Sequence, residues 1–307
     1  MSAPFHFLFL SAMYENGGNT THRFLDGHPQ MFVYPFESQI GTRLVHDGLT
    51  SMFPVKYRWP VFDSAGDAAS DYHAIIDEEC KIRARTPFVS KFRDTPFDFS
   101  DDERKRLYIE RIGEAGRSRP NNVEAFFRAT FDAWKDHSRT DAQKLYVGYS
   151  PIVVVDAAKI LRELPHAHVL HIVRNPWSAY ADTKKRPVPL SLESYLLAWC
   201  VNQYHALLYQ KQHPGRVHVL RLEDILGAPA ETLGRLCEVL GLDRSPSLQT
   251  SSFNGEPLGQ VYPWGTIRSA TPTANRATAD ELSAEERDAV RERAEPFLSE
   301  LDYRSYA

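Results

Sequence analysis

The chain has 307 residues, enough to bury a large core and suited to one large domain or a domain with a lid. Its 36 Lys and Arg against 40 Asp and Glu leave a net charge of −4, which gives no reason to expect nucleic acid or an anionic membrane surface as a partner, so any anion site must be local. The early apolar run Phe7 to Leu10 is far short of a membrane span, the N-terminus lacks the basic and long apolar stretches of a secretory signal, and Cys80, Cys200 and Cys237 have no metal spacing, so a cytoplasmic chain with reduced thiols is expected.

The first element is a strand at His6 to Leu10, running into Gly17-Gly18-Asn19-Thr20-Thr21 and then a short helix, Thr20 to Asp26, that stops near Gly27-His28-Pro29. "MFVYPF" reads as a second strand, Met31 to Phe36, with Glu37 directly after it. From about 41 to 140 aromatics, charges and prolines mix. Helix-like patches such as "DDERKRLYIERIGEA" and "NNVEAFFRATFDAWK" mark this stretch as a mostly helical insertion. "DDERKRLYIER" reads as a solvated helix face, and Phe126, Phe127, Phe131 and Trp134 at helical spacing as core or lid packing. If the lid lines an acceptor pocket, that aromatic content favours an apolar or aromatic hydroxyl.

Regular alternation returns at Lys144. "KLYVGY" is a strand, "PIVVVDAAKILREL" a helix opened by proline, and "HVLHIVR" a continuous apolar strand ending at Arg174. A long helix at Leu192 to Gln212 follows. Then come the strand "RVHVLRL", the helix "APAETLGRLCEVLGL" closed by Gly241, and a last helix, "SAEERDAVRERAEPFLSEL". Strands separated by helices predict a doubly covered parallel sheet in one domain, 1–307, with ligands bound at the carboxyl ends of the strands. The glycine loop, Glu37, Tyr149 and Arg174 fall at that edge.

A glycine-rich loop opening a helix offers exposed N–H groups to an anion, although glycine pairs and Asn-Thr runs also make ordinary turns. The lysine of the nucleotide-hydrolase pattern G-x-x-x-x-G-K-[ST] is missing here. Arg174, at the end of a buried strand, suits bidentate phosphate binding or, alternatively, an ion pair or helix cap. Twelve histidines include no H-x-x-x-H pair with a nearby acidic ligand, so no metal is expected.

Four segments in order carry a family likeness: the strand, loop and helix ending "LDGHP"; "ELPHAHVLHIVRNP"; "RVHVLRLEDILGAPAETLGRLCEVLGL"; and "DELSAEERDAVRERAEPFLSELDY". With these the chain resembles sulfotransferases that use 3'-phosphoadenosine 5'-phosphosulfate (PAPS), of the bacterial type also similar to the tyrosylprotein and heparan enzymes. The resemblance implies a P-loop-like three-layer α/β fold and sulfuryl transfer to a hydroxyl, or less readily an amine, of a small molecule. It implies that Asn16, Gly17, Gly18, Asn19, Thr20 and Thr21 wrap the 5'-phosphosulfate. Arg174 would hold the 3'-phosphate, with Arg186 beside it, Ser178 or Thr183 supplying a hydroxyl from the same helix, and Arg268 on a closing loop. Glu37 would be the base. The family's serine eight residues after the arginine is Asp182 here, a carboxylate that would repel a phosphate.

Two family cations are also absent. Glu15-Asn16 stands where the loop normally carries Arg or Lys, and Tyr149 stands where an "EKTP"-like turn carries Lys. The residues considered as replacements are Arg43, Lys56, Arg58 and Lys144, or a hydrogen bond donated by Tyr149. A magnesium-dependent small-molecule kinase and a non-catalytic nucleotide-binding relative are the competing readings.

Overall fold

A computed structural model of the chain describes residues 4–259 and 271–306. In chain order the elements are β1 (His6–Ser11), α1 (Gly18–Leu25), β2 (Met31–Val33), α2 (Ala68–Ala74), α3 (Glu78–Arg85), α4 (Asp101–Ala115), α5 (Arg119–Ala133) and β3 (Leu145–Tyr149). There follow α6 (Ala157–Glu163), β4 (Ala167–Val173), α7 (Pro176–Thr183), α8 (Leu192–Gln212), β5 (Val217–Arg221), α9 (Leu222–Gly227) and α10 (Pro229–Val239). A short hairpin, β6 (Ser252–Phe253) and β7 (Glu256–Pro257), precedes α11 (Pro272–Ala279) and α12 (Ala284–Glu300).

Strands β1 to β5 form one sheet in the order β2-β3-β1-β4-β5, every pair parallel. Central β1 is buried on both faces, which is why its sequence is an unbroken apolar run rather than an alternating one. Phe7 and Phe9 face a core that includes Phe127, Val169 and Trp177, while Leu8 and Leu10 face Leu25, Val147 and Leu170. Phe126, Phe127, Phe131 and Trp134 all lie in the first core.

Three expectations need adjustment. Helix α1 begins at Gly18, directly in the loop, because Gly17 turns the chain with a φ of 86°. Strand β2 stops at Val33, since Pro35 lacks an N–H for the ladder. The chain nonetheless stays beside β3, with Tyr34 N–H donating to Val147 O at 2.9 Å and Ser38 N–H to Tyr149 O at 2.6 Å. "PIVVVDAAKILREL" divides into a 3₁₀ turn at Val153–Asp156 and α6, the β-branched valines being poor helix formers.

The four helices between β2 and β3 are anchored by a residue misread in sequence. "DDERKRLYIER" is not solvated throughout: Arg104 is fully buried, between the rings of Phe99 and Phe126. Its guanidinium donates to Asp77 Oδ2 and Asp101 Oδ1, both at 2.6 Å, and to the hydroxyls of Tyr72 at 2.8 Å and Tyr34 at 3.2 Å. Asp77 N-caps α3 in the left-handed region, and its N–H donates to Gln39 O at 2.8 Å. Tyr34 follows β2, so a buried charge joins α3 and α4 to the sheet.

Arg104→Met leaves Asp77 buried and unpaired, so it should cost on the order of 3–5 kcal/mol, read as a lower urea midpoint. Adding Asp77→Asn should recover much of the loss; a double variant no more stable than Arg104→Met would reject the pairing as the cause.

Candidate functional site

The loop after β1 is held from below. Asn16 is buried; its Oδ1 accepts the Arg174 N–H at 3.0 Å, and its Nδ2 donates to Tyr14 O at 2.8 Å and the Tyr195 hydroxyl at 3.1 Å. Asn16 thus fastens the loop to the end of β4 and to α8. Glu15 adopts a left-handed φ of 59°, costly for a non-glycine residue, and its carbonyl accepts from Arg174 Nη1 at 2.9 Å. The Thr21 hydroxyl donates to Gly17 O at 3.1 Å. Among the described residues no backbone acceptor and no capping side chain meets the first N–H groups of α1, which leaves the positive end of a helix open beside Asn19. A Cβ at Gly18 would overlap the Tyr149 ring, so the loop and the end of β3 are in close contact.

Glu37 lies four residues beyond β2, and its backbone is set by the start of α3. Its N–H donates to Glu79 Oε2 at 3.0 Å, while Glu78 N–H donates to Gln39 Oε1 at 2.8 Å. The Glu79 side chain is 11% exposed and ion-paired with Lys91. Burial, the Glu37 charge adding to it, pushes the Glu79 carboxyl up to about 7 against the pull of Lys91. Burial opposes the Lys91 charge, but Glu79 and Glu37 outweigh it and raise its ammonium above the usual range. Three phenols feel the Glu37 charge. Tyr57 is hydrogen-bonded to it; burial raises Tyr57 and Tyr149 far above the ordinary phenol and Tyr14 to about 12. Tyr149 therefore remains a hydroxyl donor, never a base, at working pH.

Arg174 follows β4 and is buried. Its Nη1 contacts Asp182 Oδ2 at 2.7 Å, and its Nε donates to Asn275 Oδ1 at 2.5 Å. Ser178 Oγ donates to Asn275 O at 2.6 Å. Arg186 lies 3.7 Å from Glu15 Oε1 and over the Tyr14 ring at 4.8 Å, and its charge lowers the Tyr149 and Tyr14 phenols against burial. Arg268 falls outside the described residues.

Of the four proposed substitute cations only Lys56 comes near the Glu37 cluster, 5.3 Å over the Tyr57 ring and bonded to Glu78 at 2.5 Å. Arg58 is buried against Asp156 at 2.7 Å, and Lys144, at the opposite end of β3, donates to Gly241 O. Arg43 and Lys56 line a separate cleft of about 820 Å³ with His73 and Lys81. Among the described residues the cations that reach the cluster are Lys91, Arg186 and Arg23, whose buried guanidinium on α1 feels the Glu79 charge. Lys91, Glu79 and Tyr57 were missed because no motif or period marks them; only the charges in "DEEC" and "VSKF" stood in the sequence.

Lys91 also borders a cavity of about 430 Å³ walled by Thr95, Pro96, Phe253 and Leu258. Phe36, next to Glu37, stacks on Phe92 at 4.1 Å and lies 5.9 Å from Phe253.

The donor implied by the resemblance meets two different surfaces. The open start of α1 suits a 5'-phosphosulfate, an anion held by N–H groups with no side-chain charge required. The Arg174 end does not suit a 3'-phosphate, because its guanidinium is already neutralised by Asp182.

Among the described residues no helix is long and apolar enough to cross a membrane. No curated protein matches the sequence. The structure is similar to the sulfotransferase domain of the Synechococcus PCC 7002 olefin synthase, with TM-score 0.57, 16% identity, and 97% of this chain and 96% of that one covered. It is similar to the sulfotransferase domain of the curacin biosynthetic pathway, with TM-score 0.56, 13% identity, and coverage of 96% and 99%. A sulfotransferase from Alicyclobacillus acidocaldarius aligns with TM-score 0.48 and 13% identity over 98% and 95%. The first two likenesses show a shared fold. The sequence model of the sulfotransferase family matches residues 16–246, from the loop through β5 and α10, and on that match the chain belongs to the sulfotransferase family.

Proposed function

We propose that the chain transfers a sulfuryl group from the 5'-phosphosulfate of an adenosine donor, PAPS in the family's usual form, to a hydroxyl of a small molecule. The observation that carries this reading is the meeting of an open helix start with a carboxylate, Glu37, across one phenol, Tyr149, whose ring rests on Gly18 and whose proton feels Glu37. The donor supplies an activated sulfuryl group on a phosphate leaving group.

The first N–H groups of α1 hold the anion and, with the Tyr149 hydroxyl, face the charge that grows on the leaving side. Glu37 takes the acceptor proton. Lys91 and Arg186 supply the positive potential that Glu15-Asn16 lacks. The cavity beside Lys91, with Phe253 and Leu258 in its walls, favours an acceptor with an apolar or aromatic body.

The direct test is transfer of labelled sulfate from saturating adenosine 5'-phosphosulfate, with and without a 3'-phosphate, to a panel of small phenols, alcohols and amines; no transfer from either donor to any of them rejects the proposal. With an accepted compound, Glu37→Gln should keep nucleotide binding but lose roughly 10²–10⁴-fold in kcat. Near-normal turnover would remove Glu37 from the role of base. Lys91→Met should lower kcat by about tenfold or more at unchanged nucleotide affinity, as expected for a lost charge donor.

Glu79 adds a dependence on pH. Its carboxyl, at about 7 in the fold, lies above the roughly 4.3 of an unfolded glutamate. The stability tied to its protonated form is whole below the unfolded value and is lost as pH rises through about 7. Glu79→Gln stays neutral throughout. Its Tm relative to the unaltered chain should therefore rise steadily between pH 5 and pH 8, and a Tm difference independent of pH would show that Glu79 does not titrate there.

A further inference from the structure

Among the described residues the Arg174 charge is met by Asp182, and its Nε and Nη1 are both engaged. Its partner Asp182 is itself buried, with a side chain 4% exposed, and uses Oδ2 on Arg174 at 2.7 Å and Oδ1 on Lys185 Nζ at 3.0 Å. Lys185 is paired in turn with Glu281 at 2.8 Å. Asn275, on α11, bridges the rest: it accepts from Arg174 Nε, donates from Nδ2 to Glu223 Oε1 at 3.0 Å, and accepts the Ser178 hydroxyl on its carbonyl. Among the described residues Arg174 and Lys185 share Asp182, Lys185 also pairs with Glu281, and Glu223, held by Asn275, feels the Arg221 charge.

A phosphate dianion brought to Arg174 meets the Asp182 carboxylate on the same guanidinium. It must either displace a buried ion pair or sit beside a like charge, and both oppose binding. A ribose hydroxyl has the opposite preference. It donates to a carboxylate, the chemistry by which acidic side chains select an unphosphorylated ribose in dinucleotide folds. Ser178 and Asn275 add neutral polar groups of the same kind.

We propose that this chain takes, in preference to PAPS, a donor whose 3' position carries a free hydroxyl: adenosine 5'-phosphosulfate. The inference rests on the sulfuryl-transfer reading and changes only the nucleotide end of it. The acceptor oxygen forms its bond to sulfur as the bond from sulfur to the 5'-phosphate oxygen breaks. The acceptor proton goes to Glu37, and the leaving oxygen keeps the bonding pair, so the product is adenosine 5'-phosphate (AMP) rather than 3'-phosphoadenosine 5'-phosphate (PAP).

Calorimetric titration of the full chain with AMP and with PAP tests this without any substitution. The expected result is that AMP binds at least as tightly as PAP. PAP binding more than threefold tighter than AMP would overturn the inference while leaving sulfuryl transfer intact. Binding of neither nucleotide would overturn both. Asp182→Ser, which restores the hydroxyl common in the family, should improve PAP binding about tenfold relative to AMP; a relative change under threefold would count against Asp182 as the discriminating group. If that variant fails to fold, Asp182→Asn keeps the hydrogen-bonding shape without the charge and should shift the ratio in the same direction.

Discussion

A single buried guanidinium holds the reacting edge together. Arg104 sits without solvent between two aromatic rings and satisfies its donors on Asp77, Asp101, Tyr72 and Tyr34. Because a buried charge tolerates no vacancy among its partners, α3, α4 and the end of β2 are fixed relative to one another. Asp77 then carries that order to Gln39, and the first turn of α3 sets Glu79 against the Glu37 N–H. The position of Glu37 is therefore an outcome of electrostatics some distance from it. The sheet supplies only the direction in which the chain arrives.

The other half of the site depends on the parallel sheet itself. With all strands aligned, the loop after β1 and the ends of β3 and β4 meet at one edge, and Asn16 closes the arrangement by joining loop to β4 through its amide. The two halves differ in charge. Around Glu37 and Glu79 the described residues bring three cations, Arg23 from α1, Lys91 from the stretch between β2 and β3 and Arg186 from beyond α7. Around Arg174 the positive charge has been cancelled in place.

The sheet and its edge were legible because buried parallel strands write themselves as short apolar runs, and β1, β3, β4 and β5 were recovered on that basis. Pro35 was visible too, yet its effect on β2 was underrated, since a strand ends where ladder donors run out and not where apolar residues do. The loop was readable from Gly17 and Gly18, while Asp182 drew notice only because the resemblance puts a serine at its place. What sequence did not disclose were contacts between segments far apart in the chain: Lys91 on Glu79, Asn275 on Arg174, and the burial of Arg104 inside a run of charges. Charged residues carry no periodic signal that separates a solvated face from a buried pair. Arg104 looked like its neighbours Lys105 and Arg106 until Asp77 was seen opposite it.

The contact between Gly18 and the Tyr149 ring has an evolutionary consequence. A tyrosine can occupy this end of β3 only while residue 18 lacks a side chain, and a side chain at 18 can return only if the ring withdraws. The two positions are bound to change together across descendants of this chain. A glycine in the loop together with an aromatic hydroxyl at the end of the third strand is thus a paired signature, each residue making room for the other.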